Sequence, residues 1–268
     1  MNEKAKVDEV DLQKAAKTIL GAQYVMALTG AGMSVESNIP PFRGPGGIWT
    51  KYGEPPMDGY QRFMKDPKKA WEEMISPKGP YAGLGEALEQ ARPNPGHTAL
   101  AELEKMGILK TVITQNVDNL HLAAGSKHVL EIHGNFKLLR CMSCHTRYKR
   151  EEVSLDMLPP QCPQCSGTLK TDMVMFGEPI PMDVLRGCQQ ETSKCDCMLV
   201  LGTSATVYPA ASFPQDVRDR GYPLIEVNLY ESDITPMCQI SLRGTTGEVL
   251  PRLVEEIKKG RTYELDHN

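Results

Sequence analysis

The cysteines give the strongest local indication of chemistry in this chain. Two residues separate Cys141 from Cys144, and two separate Cys162 from Cys165. Paired thiols at this spacing are typical of a zinc ribbon, and four thiolates on one ion leave no open position for catalysis. We therefore predict one structural Zn(2+) ion on these four cysteines, against the alternative of four free thiols. The other four of the eight cysteines show no second ligand pattern and are expected to pack in the core.

Small and polar residues that follow five short apolar runs form a second group of candidates. Gly30, Ala31 and Gly32 follow the first run, Gln115, Asn116 and Asp118 the second, His133 the third, Gly202, Thr203 and Ser204 the fourth, and Asn228 the fifth. In open parallel sheets, ligands bind beyond the carboxyl ends of the strands. The sequence therefore predicts that these residues converge on one site.

The segment after the first run has two of the three glycines of a dinucleotide-binding turn. Gly30 and Gly32 would let the backbone approach a pyrophosphate, with amide groups pointing at it. A valine stands in place of the third glycine, and the usual strand-end acidic residue is missing, so this signal is incomplete by itself. Residues 33–49 are too rich in proline and glycine to form a regular helix. We expect a loop there that carries Phe42 and Arg43 and closes on a ligand.

The apolar runs predict the strands that must position these residues. The runs are residues 24–28, 111–114, 129–132, 198–201 and 223–227, whose composition is typical of buried parallel strands. Helical patterns cover residues 10–20, 98–106 and 248–259, and a glycine is expected to end each helix, at Gly21, Gly107 and Gly260. Strands that alternate with helices predict an α/β fold with a doubly wound parallel sheet.

Two connections between the predicted strands are too long to be simple crossovers. The first contains a weak helical pattern around residues 67–74, and the second contains the cysteine pairs. We expect each connection to hold an inserted module. The predicted sheet domain comprises residues 1–43, 92–135 and 178–268, and a smaller domain combines a helical insertion, 44–91, with a zinc-binding insertion, 136–177.

Length and composition exclude several classes of protein. The 268 residues carry 30 Lys and Arg against 34 Asp and Glu, a formal charge of −4, which excludes nucleic-acid binding by bulk positive charge. A hydrophobic fraction of 40% is too high for a disordered chain. No apolar run is long enough to cross a membrane, and the amino terminus lacks the apolar stretch of a signal peptide. Because the cysteines are also too sparse for a disulfide scaffold, we expect a cytoplasmic protein with no membrane or direct nucleic-acid partner.

Several motifs occur together in a specific order. They are residues 30–34, 39–43, 114–121 and 133–134, then the cysteine quartet, then residues 176–178, 202–204 and 227–228. This constellation resembles the sirtuin family of NAD-dependent protein deacylases, and the resemblance extends from about residue 10 to residue 254. It implies a Rossmann-like large domain and a smaller zinc-plus-helical module. NAD and an acyl-lysine protein or peptide would meet in the cleft between them.

The resemblance also implies roles for individual residues. Those that would hold NAD are Gly30, Ala31, Gly32, Ser34, Glu36, Ile39, Pro40, Phe42, Arg43, Gln115, Asn116, Val117, Asp118, Gly202, Thr203, Ser204, Asn228, Leu229 and Thr246. Within this set, Phe42 would shield the nicotinamide ribose. The substrate peptide would pair its backbone with Val174, Met175, Phe176, Gly177, Glu178 and Val207, by strand addition between the two modules.

His133 and Asn116 are the catalytic residues that the resemblance implies. Asn116 would help to orient nicotinamide and ribose for cleavage of the glycosidic bond. His133 would be the general base, because an imidazole titrates near neutral pH and can take a proton from a ribose hydroxyl, an effect typically worth about 10²–10⁴ in rate. The implied products are free lysine, nicotinamide and O-acyl-ADP-ribose. His97 and His121 are expected to be structural.

Two departures from the family pattern bear on the substrate. Pro41 replaces the small polar or acidic residue that usually precedes the phenylalanine of the cofactor loop, so a side-chain hydrogen bond and a backbone donor are lost. The Tyr-x-x-Arg pair of members that remove succinyl groups is missing from residues 72–78, so no preference for acidic acyl groups is predicted. Met74 and Ile75 are candidates for lining an apolar acyl channel, but methionine is equally typical of core packing.

Two other functions stay open at this point. The same site would suit an NAD glycohydrolase or mono-ADP-ribosyltransferase, although that branch of the family often lacks the base histidine. A zinc-ribbon interaction module without catalysis is the alternative from another class. A basic cluster near the first cysteine pair is more typical of a solvated face than of a nucleic-acid site; it consists of Lys137, Arg140, Arg147, Lys149 and Arg150. We expect a monomer.

Overall fold

A six-stranded parallel sheet forms the centre of the molecule. The computed structural model describes residues 7–267, with the backbone alone for Pro80 and for residues 263–267; residues 1–6 and Asn268 of the predicted sheet domain lie outside it. The strands are β1 (Val25–Thr29), β2 (Leu109–Thr114), β3 (Val129–Glu131), β7 (Cys197–Leu201), β8 (Leu224–Asn228) and β9 (Ile240–Arg243). Their spatial order is β3-β2-β1-β7-β8-β9. This is the order of a dinucleotide-binding sheet, in which the winding reverses between the first and fourth strands.

The five predicted strands and the α/β fold class are confirmed, and the structure adds a sixth strand to this sheet. β9 pairs in parallel with β8 at the sheet edge. The sequence has no continuous apolar run at β9, because its residues, Ile-Ser-Leu-Arg, alternate between apolar and polar. Such alternation is expected of a strand that is only partly buried. β1 and β7 are buried at every position, which explains why their apolar runs are continuous.

Helices cover both faces of this sheet. Those that pack against it most closely are α1 (Glu9–Gly21), α6 (Pro95–Lys105), α8 (Met182–Lys194), α9 (Ser212–Asp219) and α10 (Thr246–His267). The described chain also contains α2 (Ile48–Tyr52), α3 (Gly59–Lys65), α4 (Pro67–Ile75), α5 (Leu84–Gln90) and α7 (Leu120–Ala123). Val25 and Ala27 of β1 pack in the core with α1, α6 and α10, whereas Met26 and Leu28 pack with α8 and α9. Successive residues of one strand therefore contribute to two separate cores.

The glycine stops are correct in position for two helices and wrong for the third, and only the stop at Gly107 has the expected left-handed conformation. Gly107 has φ +74° and follows α6, as predicted. α1 includes Gly21, and Ala22 ends it in an extended conformation. α10 continues through Gly260, where an added Cβ would lie 2.5 Å from Leu20 Cδ1. Gly260 therefore permits the close packing of α10 on α1 and does not end the helix.

The two insertions form one module with a shared core. A three-stranded antiparallel sheet has the order β5-β4-β6, from β4 (Leu138–Cys141), β5 (Arg147–Lys149) and β6 (Leu169–Thr171). Phe63 of α3 and Trp71 of α4 pack in one cluster with Leu139 and Leu169 of this sheet. The Trp71 indole N–H also donates to the Leu169 carbonyl at 2.9 Å. The domain boundaries to the residue stay a prediction.

The four cysteines of the quartet converge at one end of this small sheet. Their sulfurs all lie within 4.8 Å of one another. The Cys141 and Cys165 sulfurs are 3.5 Å apart, and those of Cys144 and Cys162 are 3.7 Å apart. A tetrahedral zinc site with Zn–S bonds of about 2.3 Å places its sulfurs about 3.8 Å apart. The donor set therefore fits a structural zinc ion. Such an ion would join two hairpins, one with Cys141 and Cys144 and the other with Cys162 and Cys165, without offering an open coordination position.

Buried ion pairs connect the small sheet to the segment that follows it. The Lys170 side chain is fully buried and lies 3.0 Å from Glu178, while also donating to the carbonyls of Thr171 and Met173. Arg140 pairs with both Glu178 and Asp172. Burial lowers the pKa of Lys170, and the Glu178 carboxylate opposes that shift. The positive charges of Lys170 and Arg140 thus lie against the carboxylates of Asp172 and Glu178. These ion pairs anchor residues 172–178 at both ends.

These contacts correct part of the expectation of a solvated basic face. The Arg140 side chain is only 8% exposed and pairs with the carboxylates of Asp172 and Glu178, and Arg147 pairs with Asp172 and Asp183. These two arginines therefore hold the module together. Lys137 and Lys149, whose side chains are 44% and 65% exposed, fit the predicted solvated face. Among residues 7–267, no helix has both the length and the apolar character needed to span a bilayer.

Loss of one exposed cysteine should release the metal and destabilise the module. Cys165 is exposed, so Cys165→Ser removes a ligand with little change in packing. We expect wild-type protein to contain one zinc per chain, and Cys165→Ser to contain far less after dialysis against a chelator and to melt at a lower temperature. Cys238→Ser, outside the quartet, is the matched control. Equal zinc content and equal melting temperatures in both variants would contradict the zinc assignment.

Candidate active site

The loops that follow β1 and β7 meet backbone to backbone at the point where the winding reverses. A Cβ on Gly32 would lie 2.8 Å from the Cα and the carbonyl oxygen of Gly202, and one on Gly30 would lie 2.6 Å from Thr203 Cβ. The Gly30 amide donates to Leu201 O and the Gly32 amide to Gly202 O. The amides of Gly30 and Gly32 therefore join the two loops, and the prediction that amide groups of this turn point at a pyrophosphate stays a prediction. The side-chain-free backbone of Gly30, Gly32 and Gly202 forms a cradle of the kind that binds a dinucleotide.

The loop after β2 is fixed to this cradle by side-chain hydrogen bonds. Gln115 Nε2 donates to Thr203 Oγ1 at 2.9 Å. Asn116 Nδ2 donates to Gly30 O and to Ser34 Oγ, each at 3.0 Å. Ser34 Oγ in turn donates to Asp118 Oδ2 at 2.6 Å. These contacts join residues from three strand ends, as the sequence predicts.

Asp118 and its neighbours line the floor of the same region. Asp118 is buried and accepts from the Leu120 amide as well as from Ser34. Burial raises its pKa, while both hydrogen bonds oppose the shift. Val117 packs beside a cluster that contains Ile39 and Phe136, and so connects the loop after β1 with the start of the zinc-binding insertion.

His133 lies beside the Gln115–Asp118 loop with one nitrogen fixed. Its Nδ1 is 3.1 Å from the Gln115 carbonyl oxygen. A carbonyl only accepts, so the proton of the neutral ring is on Nδ1, and Nε2 keeps a lone pair. Burial lowers the pKa of His133, and the Gln115 hydrogen bond opposes that shift. The ring is therefore neutral at neutral pH and has a nitrogen that can take a proton.

The proline- and glycine-rich segment is a loop of short turns, as predicted. Only two single 3₁₀ turns occur between β1 and α2. The rings of Phe42 and Trp49 lie 4.8 Å apart, and the Arg43 guanidinium lies 4.7 Å from the Trp49 ring. Arg43 also pairs with the Glu54 carboxylate at 2.7 Å. The Phe176 ring, which comes from the zinc-binding insertion, lies 5.6 Å from the same Trp49 ring.

The segment 174–178 runs along the opposite wall of this region. The Val174 amide donates to the His133 carbonyl at 2.8 Å, and the Tyr60 amide donates to Phe176 O at 3.0 Å. The Met175 amide donates to the Glu178 carboxylate, whose side chain is 3% exposed and belongs to the buried ion cluster. The Glu178 side chain therefore has a structural role, and its amide donates to Met175 O at 3.0 Å, which leaves only its carbonyl for peptide pairing.

The remaining predicted residues lie farther from the central contacts. Asn228 reaches the cradle, because its Nδ2 donates to Thr203 O at 3.2 Å. Glu36 instead accepts from Thr245 Oγ1 and from the Gly247 amide at the start of α10. Leu229 is 45% exposed. The predicted residues that the hydrogen bonds and packing contacts described above do not join are Ala31, Pro40, Ser204, Leu229, Thr246, Gly177 and Val207.

The candidates for the acyl channel separate in the structure. Met74 packs against the core that the two insertions share. Ile75 is 42% exposed at the end of α4. Core packing therefore accounts for Met74, and only Ile75 is left on the surface.

Sequence reasoning missed a set of buried polar residues beneath the site. Asn94 caps α6 and donates from its side chain to Met33 O, in the loop after β1. His97 and His121 are buried, and His121 Nε2 contacts Thr29 Oγ1 at 3.0 Å. The Asn-Pro-Gly-His sequence at 94–97 is typical of a helix start, and it is the one sequence signal for this network.

Comparison with known proteins agrees with this geometry. The model of the Sir2 family matches residues 30–209. An NAD-dependent protein deacylase from Pyrococcus furiosus is 45% identical over 253 residues, which cover 92% of this chain and 98% of the relative. NAD-dependent protein deacylase 1 from Archaeoglobus fulgidus is 43% identical over 247 residues, which cover 92% and 98%.

Solved structures show the same fold. A Sir2 homolog in complex with NAD has a TM-score of 0.79 at 41% identity and covers 97% of each chain. A complex of Sir2 with a p53 peptide and NAD+ has a TM-score of 0.76 at 33% identity and covers 91% of this chain and 98% of the other. With family motifs, overall fold and sequence identity all in agreement, the chain belongs to the Sir2 family, the sirtuins.

Proposed function

We propose that this protein is an NAD-dependent protein-lysine deacylase that releases nicotinamide and O-acyl-ADP-ribose. The observation that carries the proposal is His133, whose Nδ1 is held by Gln115 O so that Nε2 is free to take a proton beside the dinucleotide cradle. Relatives that are named NAD-dependent protein deacylases, and homologous structures with NAD and with a p53 peptide, support the same activity.

The cradle and the loops around it would hold NAD. Gly30, Ala31 and Gly32 offer an open backbone surface at the sheet edge, and Phe42 would cover the nicotinamide ribose. Gln115, Asn116 and Asp118 would orient the nicotinamide end, because hydrogen bonds fix each of these side chains. The other residues that the sequence motifs indicate for NAD complete the proposed set. When bound, NAD supplies a glycosidic bond that breaks to release nicotinamide and leave ADP-ribose to accept the acyl group.

His133 would act as the general base in this reaction. Its Nε2 would take the proton of a ribose hydroxyl, which makes that oxygen a nucleophile toward the acyl group. The lowered pKa of His133 suits this role, since a base must be neutral before it accepts a proton. Asn116 would keep the sugar in place through its contacts with Gly30 and Ser34.

The substrate peptide would bind along residues 174–178 and Val207, by pairing its backbone between the two modules. Residues 172–178 are anchored at both ends by Lys170 and Arg140. Such anchoring reduces the conformational entropy that peptide binding would otherwise cost. The acyl-lysine would thus enter next to His133, whose carbonyl contacts the Val174 amide.

The two alternatives have less support. A glycohydrolase or ADP-ribosyltransferase does not need a base positioned between the cofactor cradle and a peptide wall, whereas His133 occupies that position. An interaction module without catalysis would need an accessible basic surface, but Arg140 is buried and Arg147 is paired. A cytoplasmic location and a monomeric state stay predictions. Four cysteines outside the quartet are free thiols, which supports a reducing compartment.

A panel of acyl-lysine peptides tests the proposed activity. With NAD and acetyl-, myristoyl- or succinyl-lysine peptides, we expect equal amounts of free-lysine peptide, nicotinamide and O-acyl-ADP-ribose by mass spectrometry. Acetyl or myristoyl peptide should react faster than succinyl peptide, because the Tyr-x-x-Arg pair is missing. Nicotinamide release that does not depend on peptide would instead indicate a glycohydrolase, and ADP-ribose attached to protein would indicate a transferase.

Replacement of His133 tests the base. His133→Ala should reduce O-acyl-ADP-ribose formation by about 10²–10⁴. His128→Ala is the matched control, because the His128 side chain is 72% exposed and should not affect the rate. In wild-type protein, protonation of His133 removes the base, and because its pKa is lowered, activity should be half lost only at a pH below the ordinary imidazole value of about 6.5. Normal turnover in His133→Ala would overturn the assignment.

A methyl group on Gly32 tests the cradle. A Cβ there would lie 2.8 Å from Gly202 backbone atoms, so the two loops must separate. We expect Gly32→Ala to weaken NAD binding by at least about tenfold, or about 1.4 kcal/mol, in titration calorimetry. Gly187→Ala, in the interior of α8, is the control: its Cβ would meet Leu130 of β3 at 3.6 Å, an ordinary contact, and it should raise stability by about 0.5–1 kcal/mol. Equal NAD affinity in both variants would rule out the cradle.

A further inference from the structure

A chain of buried hydroxyls and imidazoles lies beneath the site, and the proposed reaction does not use it directly. Thr29 ends β1 and Thr114 ends β2; their hydroxyl oxygens are 2.8 Å apart. On its other side, Thr29 Oγ1 contacts His121 Nε2 at 3.0 Å. None of these three side chains reaches solvent. Polar groups buried at this depth cost stability unless they are hydrogen bonded, so their connections matter.

One end of the chain fixes the loop that carries Asn116. The Asn116 backbone amide donates to Thr114 Oγ1 at 3.1 Å. The Asn116 side chain then donates to Gly30 O and Ser34 Oγ. The Thr114 hydroxyl therefore sets the backbone position from which the Asn116 side chain reaches into the site.

The other end of the chain returns to the loop after β1. The His97 and His121 rings lie 4.8 Å apart in an edge-to-face arrangement. His97 Nδ1 accepts the Asn94 backbone amide at 3.3 Å, as half of the capping box that starts α6. The Asn94 side chain donates to Met33 O and Ser37 Oγ, on either side of Ser34. The buried network thus connects to the cofactor-binding region at both ends.

Hydrogen-bonding roles determine where the protons lie. His97 Nδ1 accepts, so the proton of the neutral ring is on Nε2. If Thr29 donates to Thr114, it must accept from His121 Nε2, and His121 Nδ1 is then an acceptor. His97 Nε2 and His121 Nδ1 are the two ring nitrogens without a partner among the described residues. In this arrangement the two facing rings present one donor, His97 Nε2–H, and one acceptor, His121 Nδ1.

We propose that His97 and His121 are positioning residues for the deacylation reaction: as a pair of neutral Nε2–H tautomers they orient the Thr29 and Thr114 hydroxyls, which hold Asn116 at its place in the site. The kinetic part of this inference rests on the proposed function, whereas the proton arrangement does not. The two imidazoles would affect the position of Asn116 and would not touch the reacting atoms, since both rings are buried beneath the cradle.

Burial keeps both rings in the required form. It lowers the pKa of His97 to about 4, and burial together with the charge of His97 lowers the pKa of His121 to about 3. The pair therefore stays neutral near neutral pH, and the orientation of the network is constant there.

Two matched pairs of variants test the positioning role. Thr29→Val keeps the volume of the buried side chain but removes its hydroxyl, and Thr29→Ser keeps the hydroxyl. His121→Leu removes the Nε2–H donor, and His121→Gln places an amide donor at similar reach. With an acetyl-lysine peptide, we expect Thr29→Val and His121→Leu to lower kcat about tenfold while KM for the peptide is unchanged. Thr29→Ser and His121→Gln should retain most of the wild-type kcat.

Thermal melting of each variant separates misfolding from misplacement. The positioning role is overturned if Thr29→Val has the same melting temperature and kcat as Thr29→Ser, and His121→Leu the same as His121→Gln. If the wild-type protein releases no acyl-lysine product at all, it is the proposed function that fails, and the proton arrangement is decided by a second measurement.

Nitrogen NMR of the histidine rings provides that measurement and needs no activity. With ring-labelled protein between pH 6 and 8, two histidines should show the neutral Nε2–H tautomer without titrating, and His97→Gln and His121→Gln should each remove one of these signals. His133 should differ, with its proton on Nδ1. An Nδ1–H tautomer for His121, or titration of either ring near neutral pH, would contradict the inference.

Discussion

The site depends on direct backbone contact between the loops after β1 and β7. Gly32 N–H donates to Gly202 O at 2.8 Å, and Gly202 has φ +55°, with Met33 N 2.5 Å from where its Cβ would be. Glycine is needed on both sides, because either side chain would push the strand ends apart. The winding of the sheet reverses at this contact, so the following segments leave toward opposite faces and open a crevice. The other site residues are positioned relative to that crevice.

The small module closes the second side of the crevice, and it is stiff for three separate reasons. The two insertions share a core around Trp71, the cysteine quartet fits a zinc ion that joins the two hairpins, and the ion cluster of Lys170, Arg140, Glu178 and Asp172 fixes the segment that leaves the small sheet. Phe42 from one side and Phe176 from the other meet at the Trp49 ring. The cofactor loop and the peptide wall therefore share one aromatic contact.

The sequence predicts the fold class, five strands, the zinc ligands and the residues at the strand ends, because each depends on local pattern or on fixed spacing. It does not predict contacts between distant side chains. The role of Glu178, in the segment after the small sheet, depends on Arg140 of β4 and Lys170 of β6. The pairing of His121 with Thr29 crosses from α7 to β1. Gly260 resembles a helix stop in sequence, and only the packing of α10 on Leu20 shows its purpose. Long-range packing is thus what the local patterns leave undetermined.

Burial distributes charge unevenly between the module and the site. In the ion cluster, carboxylates pair with cations, which offsets the cost of burying them. Around the proposed base, titratable groups are instead shifted toward neutral forms: burial lowers the pKa of His133, raises that of Asp118, and raises that of Glu131 to about 7. An anionic dinucleotide is repelled less by such groups than by fixed carboxylates. Binding of such a ligand therefore needs no excess of positive charge, consistent with the formal charge of −4.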